Sequence, residues 1–153
     1  MTKILFICHG NICRSVCAEM VMKHLIRGAG LDGEVTVASA ATTTEEIGND
    51  VYPPMRRTLI AHGIPVERHS ARKMTRADGE AYDLLIGMDE ENLEDMARIC
   101  GADRKLRSLM TYAGRPGAEV ADPWYTRDFE AAYRDVLAGC EGLLRRIREG
   151  KAL

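Results

Sequence analysis

Lys3-Ile4-Leu5-Phe6-Ile7-Cys8-His9-Gly10-Asn11-Ile12-Cys13-Arg14-Ser15 changes character twice in a short stretch. Lys3 to Cys8 is a brief apolar run rich in β-formers, which predicts a buried strand. His9-Gly10-Asn11 suits a turn, with Gly10 and Asn11 standing where the loop must bend. From about Arg14 to Ile26, apolar Cys17, Met20, Val21 and Leu25 recur at helical spacing. Glu19, Lys23 and Arg27 are left for another face, and Gly28 and Gly30 supply a stop. The first unit is therefore strand, tight loop, helix.

The pattern repeats outward from that unit. Val35 to Ala40 predicts a second strand, followed by a polar loop over Thr42 to Asn49. Pro53-Pro54 open a helix whose apolar side is Met55, Leu59 and Ile60 and which Gly63 ends. Asp83 to Met88 predicts a third buried strand, and Asp89 caps the helix after it. A fourth apolar segment lies near Leu106 to Met110. The last helix carries Phe129, Ala132, Tyr133, Val136, Leu137, Cys140, Leu143, Leu144 and Ile147 at helical spacing, a stripe expected to pack on a sheet. Strands alternating with helices imply right-handed crossovers and a parallel sheet covered on both faces. In such sheets ligands bind beyond the carboxyl ends of the strands, where Cys8 falls.

Size and charge narrow the classes. The 153 residues suit one domain, 1–153. With 21 Lys and Arg against 23 Asp and Glu, the net charge of −2 gives no general reason to bind nucleic acid or an anionic membrane. Ile4 to Cys8 is too short for a signal peptide's apolar region and far too short to span a bilayer, so a cytoplasmic protein is expected. Five cysteines without a signal peptide favour free or catalytic thiols over a disulfide framework.

Cys8-His9-Gly10-Asn11-Ile12-Cys13-Arg14-Ser15 is where chemistry concentrates. A loop between strand and helix directs successive backbone N–H groups and a helix N-terminus at one point, which makes an anion site. Arg14 adds a planar fork of donors suited to two phosphate oxygens. The same positive field favours Cys8 as a thiolate. Cys140 and Arg146 share the spacing of Cys8 and Arg14, but they sit inside the amphipathic last helix, where no loop can curl around an anion. Cys140 reads as core, and so does Cys17. Asp122-Pro123 taken alone is a turn signal.

These residues carry a likeness. Cys8 to Ser15 with the strand before it, Ser39-Ala40, Met88-Asp89-Glu90-Glu91-Asn92 and Asp122-Pro123 resemble the low-molecular-weight protein tyrosine phosphatases, in the right order over nearly the whole chain. The resemblance implies an α/β, flavodoxin-like three-layer sandwich with a central four-stranded parallel sheet. It also implies a phosphatase that needs no metal or other cofactor and works through a cysteinyl-phosphate. By the same carry-over Cys8 is the nucleophile and Asp122 the general acid. Arg14 with the His9, Gly10, Asn11, Ile12, Cys13 and Ser15 segment binds phosphate. Asn11 shapes the loop and Ser15 hydrogen-bonds the thiolate. Ser39, His69 and Asp89 support the site, His69 through Asn11, and Asp89 doubles as a helix cap. Cys13 stands where relatives have a redox partner for the nucleophile, or is a small buried residue on the inner side of the loop. Trp124 and Tyr125 form a wall for an aromatic substrate, or a packing pair. The implied partners are a phosphorylated protein or a small aryl phosphate, with phosphate and other oxyanions as competitors.

The chain also departs from the family pattern. Many members have a glycine at the place of Ala41 and a bulky aromatic close to Glu45; neither is present, which predicts a wider or more polar cleft. Arginine phosphatases of this fold carry Thr at the position of Ile12, and the missing aromatic wall keeps them as the runner-up. Arsenate reductases use a further pair of cysteines after the third strand, where only Cys100 is found. A zinc site from Cys8, Cys13 and Cys17 lacks an evident fourth ligand. A non-catalytic phosphate binder would not need Cys8, and Cys8, Arg14, Ser15 and Asp122 together argue against it.

Overall fold

Two helical layers enclose a parallel sheet in a computed structural model that describes residues 1–101 and 104–153. The strands are β1 (Thr2–Cys8), β2 (Val35–Ala41), β3 (Leu84–Gly87) and β4 (Leu106–Ser108), in the order β2-β1-β3-β4. Every pairing is parallel, and Cys8 sits in register with Ala41. The helices are α1 (Arg14–Gly28), α2 (Pro53–Ala61), α3 (Asp78–Ala81), α4 (Glu90–Cys100), α5 (Leu109–Tyr112), α6 (Pro123–Thr126) and α7 (Phe129–Arg148).

The central strand β1 has its last five residues fully buried, because both faces of the sheet are covered. Its side chains alternate between two cores. Ile4, Phe6 and Cys8 join the cluster built with α1, α2 and α7, while Leu5 and Ile7 join Leu85, Met96 and Ala40 beneath α4. Each such buried aliphatic or aromatic side chain contributes about 1.5–3 kcal/mol. The connections leaving β1 and β3 thus go to opposite faces. They part at the carboxyl ends of these two neighbouring strands, which opens a crevice there.

Several expectations shift. The fourth apolar segment divides, with three residues of strand followed by the short α5. Ile60 of α2 points outward at 59% exposure, since Met55 and Leu59 alone face the core. The α7 stripe finds its main backbone neighbours in α1 and α5, and packs on helices more than on the sheet. Gly139 and Gly142 make that approach close: a Cβ on Gly142 would collide with the backbone carbonyl of Tyr112.

Candidate active site

Between Cys8 and Arg14 the backbone curls back over the end of β1. The residue in the left-handed region is Asn11, at φ 60°, rather than Gly10. Asparagine tolerates that conformation because its short side chain can bond locally. Gly10 serves closeness instead, since a Cβ there would lie 3.3 Å from Cγ of Glu46. Cys13 enters α1 without a side-chain cap, so the first amides of the helix stay available to the loop.

Three polar groups converge on Cys8. Its Sγ accepts from the Asn11 N–H at 3.3 Å and the Ser15 N–H at 3.4 Å, and lies 3.0 Å from Ser15 Oγ. The proton arithmetic of the surrounding network gives Ser15 its direction. Asn11 Nδ2 donates to both Ser15 Oγ and Ser39 Oγ at 2.9 Å, and Asn11 Oδ1 accepts from the Arg72 N–H at 3.2 Å. Ser39 Oγ in turn donates to Glu19 Oε1 at 2.5 Å. The Ser15 hydroxyl hydrogen is thereby free to point at Cys8, so the surroundings suit sulfur as an acceptor. His69 closes the loop from outside, its Nε2 donating to the Asn11 carbonyl at 2.6 Å.

Arg14 is almost completely buried, and its partners orient it. Nη1 donates to Asp89 Oδ2 at 2.7 Å and to the Val120 carbonyl at 2.9 Å, while Nη2 lies 3.4 Å from Asp122 Oδ2. With Nη1 engaged twice, the Nε–Nη2 edge is the one left to grip two oxygens of an anion. Burial by itself would weaken the guanidinium's hold on its proton. Its electrostatic interaction with Cys8 and the Asp89 hydrogen bond outweigh that, so its pKa stands above the ordinary arginine value. Asp89 also caps α4 by accepting the Asn92 N–H at 2.7 Å, and Asp122 caps α6 by accepting the Trp124 N–H at 3.0 Å.

Cys8, His9, Gly10, Asn11, Ile12, Cys13 and Arg14 form the floor of a cleft of about 270 Å³, with Asp122, Trp124 and Tyr125 on one wall and Glu45 and Glu46 on the other. Glu45 pairs with His9 at 2.8 Å. Trp124 and Tyr125 are 46% and 81% exposed, which leaves them able to receive a ligand. Ser39, His69 and Asp89 lie behind the loop and outside the cleft lining. Cys13 is buried, and first that burial and then the neighbouring Cys8 push its thiol up to about 12. Cys17 is wholly buried, and that desolvation raises its thiol well above the ordinary cysteine value. Among the described residues, no group of three His, Cys, Asp or Glu side chains is placed to hold a metal ion, and no helix is long and apolar enough to cross a membrane.

Glu19 corrects the sequence reading. Assigned there to a polar outer face, it is 9% exposed and anchors the Asn11 network through Ser39. The available signal was its spacing, four residues after Ser15 on the same side of α1. The Arg72 N–H and the Val120 carbonyl were invisible, because backbone groups carry no residue code.

A buried thiol and arginine meeting in an anion-binding loop, at the carboxyl edge of a parallel α/β sheet, define the class of cysteine-dependent phosphohydrolases. The family model described as low molecular weight phosphotyrosine protein phosphatase matches residues 3–153. The chain is 33% identical to low molecular weight protein-tyrosine-phosphatase YfkJ of Bacillus subtilis, over 100% of both chains. It is 36% identical to the human low molecular weight phosphotyrosine protein phosphatase, over 94% of each. The crystal structure of YfkJ superposes with a TM-score of 0.94, covering 99% of this chain and 98% of that one. The chain belongs to the low molecular weight phosphotyrosine protein phosphatase family, with its flavodoxin-like fold. Membership implies phosphorylated substrates and phosphate-type ligands.

Proposed function

We propose that this chain hydrolyses phosphotyrosine and related aryl phosphate monoesters through a phosphorylated Cys8. The carrying observation is the set of partners on Cys8 Sγ, two donating N–H groups and the Ser15 hydroxyl at 3.0 Å, with Arg14 closing the same loop. Phosphate oxygens bind the loop amides and the Nε–Nη2 edge of Arg14, which places phosphorus above Sγ. Cys8 attacks in line, the S–P bond forms, and the P–O bond to the aryl group breaks. Asp122, on the cleft wall, gives its proton to the departing phenolate. The Asp122 carboxylate then takes a proton from water, which attacks phosphorus, breaks the S–P bond and releases inorganic phosphate. Trp124 and Tyr125 face the aromatic ring. Asp89 fixes Arg14, while His69, Ser39 and Asn11 fix the loop.

In the same proposal Cys13 is the resolving thiol. Peroxide oxidises Cys8 to the sulfenic acid, and Cys13 displaces water to give a reversible disulfide. The arginine-phosphatase alternative is not favoured: Ile12 puts an apolar side chain in the cleft lining where those enzymes have a hydroxyl. The arsenate-reductase alternative wants a pair of cysteines after the third strand, and Cys100, at the end of α4, has no second cysteine beside it in that region of the sequence.

The test is hydrolysis of p-nitrophenyl phosphate in EDTA and reductant by the wild type beside Cys8→Ser. Turnover that falls on the order of 10⁴-fold or more in the variant supports the mechanism. An inactive wild type, or a variant that keeps its rate, refutes it and favours a binding module. Phosphotyrosyl against phosphoarginyl peptides then decides the substrate.

A further inference from the structure

Tyr52 touches both halves of the site without lining the cleft. It precedes α2, and its backbone N–H donates to the Ile12 carbonyl at 2.9 Å, which ties it to the Cys8 loop. Its side chain reaches the other way. The ring centroid lies 5.1 Å from that of Trp124 and 5.9 Å from that of Phe129, both in tilted contact. The Tyr52 hydroxyl accepts from Arg127 Nη1 at 3.2 Å, and the guanidinium also lies over the Tyr52 and Phe129 rings at 5.4 and 5.2 Å. Three residues of the segment that begins with Asp122 are thus held by one half-buried side chain.

That segment needs such a clamp. Its helix α6 is one turn long, and Arg127 ends it in the left-handed region at φ 59°. Trp124 and Arg127 are both exposed, so the segment is not anchored by burial of its own side chains beyond Pro123 and Phe129. The Asp122 carboxylate is bonded to the Trp124 N–H. Displacing the indole therefore moves the backbone that orients the carboxylate.

We infer that Tyr52 is a positioning residue for the general acid, holding Asp122 and the Trp124 wall at a fixed distance from Cys8. The inference rests on the reading of Asp122 as that acid. It separates two functions of one residue: the backbone locates α2 against the loop, and the ring locates the acid segment. Proton transfer falls steeply with misplacement, so the ring matters most where the leaving group is most basic.

The experiment measures kcat/KM for aryl phosphates running from p-nitrophenyl to phenyl phosphate, and reads the slope against leaving-group basicity. Wild type, Tyr52→Ala, Tyr52→Phe and Asp122→Asn are compared. A fold defect scales all substrates alike; loss of acid placement steepens the slope. Tyr52→Ala is expected to lose about tenfold or more on phenyl phosphate and much less on p-nitrophenyl phosphate. Tyr52→Phe, which keeps both ring contacts, is expected to restore the wild-type slope. If Asp122→Asn steepens the slope and Tyr52→Ala does not, the inference is overturned while the acid assignment survives. If Asp122→Asn leaves the slope unchanged, the assignment itself fails and the inference falls with it. Should Tyr52→Ala not fold, Tyr52→Leu fills the same space with an apolar side chain and keeps the backbone bond to Ile12 while removing the ring contacts. A wild-type slope there overturns the inference, and a steepened slope supports it.

Discussion

Arg14 and Asp89, 75 positions apart in the chain, meet at 2.7 Å behind the Cys8 loop, with Arg14 almost wholly buried. Asp89 has two tasks at once, one oxygen on the guanidinium and the other on the amide of Asn92. Asp89→Asn separates them. Asparagine caps a helix as well as aspartate, so α4 keeps its start. The charged anchor of Arg14 is lost, and the guanidinium is held only by the Val120 carbonyl and the longer contact to Asp122. The expected result is a kcat/KM about 10- to 100-fold lower with little change in melting temperature. Asp89→Ala, which loses both contacts, should also lower stability by about 1 kcal/mol. Steady-state kinetics with thermal melting distinguishes the two.

The loop that carries Cys8 was legible because its donors, thiol and arginine are consecutive, and strand, turn and helix signals surround them. The order of strands and helices was legible for the same reason, as each element is a local pattern. The site roles of Asp89, Asp122 and His69 came only through resemblance, since each reaches the loop across 50 or more residues. Glu19 was misread because periodicity assigns a glutamate to the outer face, and only the fold shows Ser39 opposite it. Gly10 and Asn11 both read as residues of the bend, and it is Asn11 that takes the left-handed conformation, with its side chain bonded to Ser15 and Ser39. The packing of α7 on α5 had a signal in Gly139 and Gly142, which an apolar stripe does not count.

Glu45 offers a test of the cleft's missing aromatic. It lines the wall opposite Trp124 and is largely exposed, so substitution there disturbs no core. Glu45→Tyr would present a ring to the substrate's ring, worth about 1 kcal/mol. KM for aryl phosphates should fall roughly fivefold with kcat unchanged, the mark of binding gained equally in ground and transition states. An alkyl phosphate, having no ring to stack, serves as the control and should not respond.

Gly142 sets local propensity against packing. Within a 20-residue helix, Gly→Ala by propensity alone gains about 1 kcal/mol. Here the added Cβ meets the Tyr112 carbonyl oxygen and lies 2.6 Å from its carbon, both backbone atoms that cannot rotate aside. Overpacking of this kind costs about 1–3 kcal/mol, so Gly142→Ala should melt several degrees below wild type. An unchanged or raised melting temperature would show that α5 can retreat from α7.

Asp78 links acid stability to the site. Its carboxylate takes two hydrogen bonds from Arg72, at 3.0 and 3.1 Å, and one from the Thr75 N–H at 2.8 Å. Burial works to raise its pKa, but the Arg72 hydrogen bond and the Thr75 amide outweigh it, leaving Asp78 below the ordinary aspartate value. A carboxyl group depressed in the folded state stabilises the fold above its unfolded pKa, near 4, and loses that contribution as pH falls through the lower folded value. Asp50 and Glu149 are also lowered, so the informative quantity is the difference between wild type and Asp78→Asn. That difference should be constant from pH 7 to about 5 and shrink below pH 4, measured by denaturant unfolding. The Arg72 N–H holds Asn11 Oδ1 at 3.2 Å. Asp78→Asn should therefore also reduce phosphatase activity at neutral pH, although Asp78 lies outside the cleft lining.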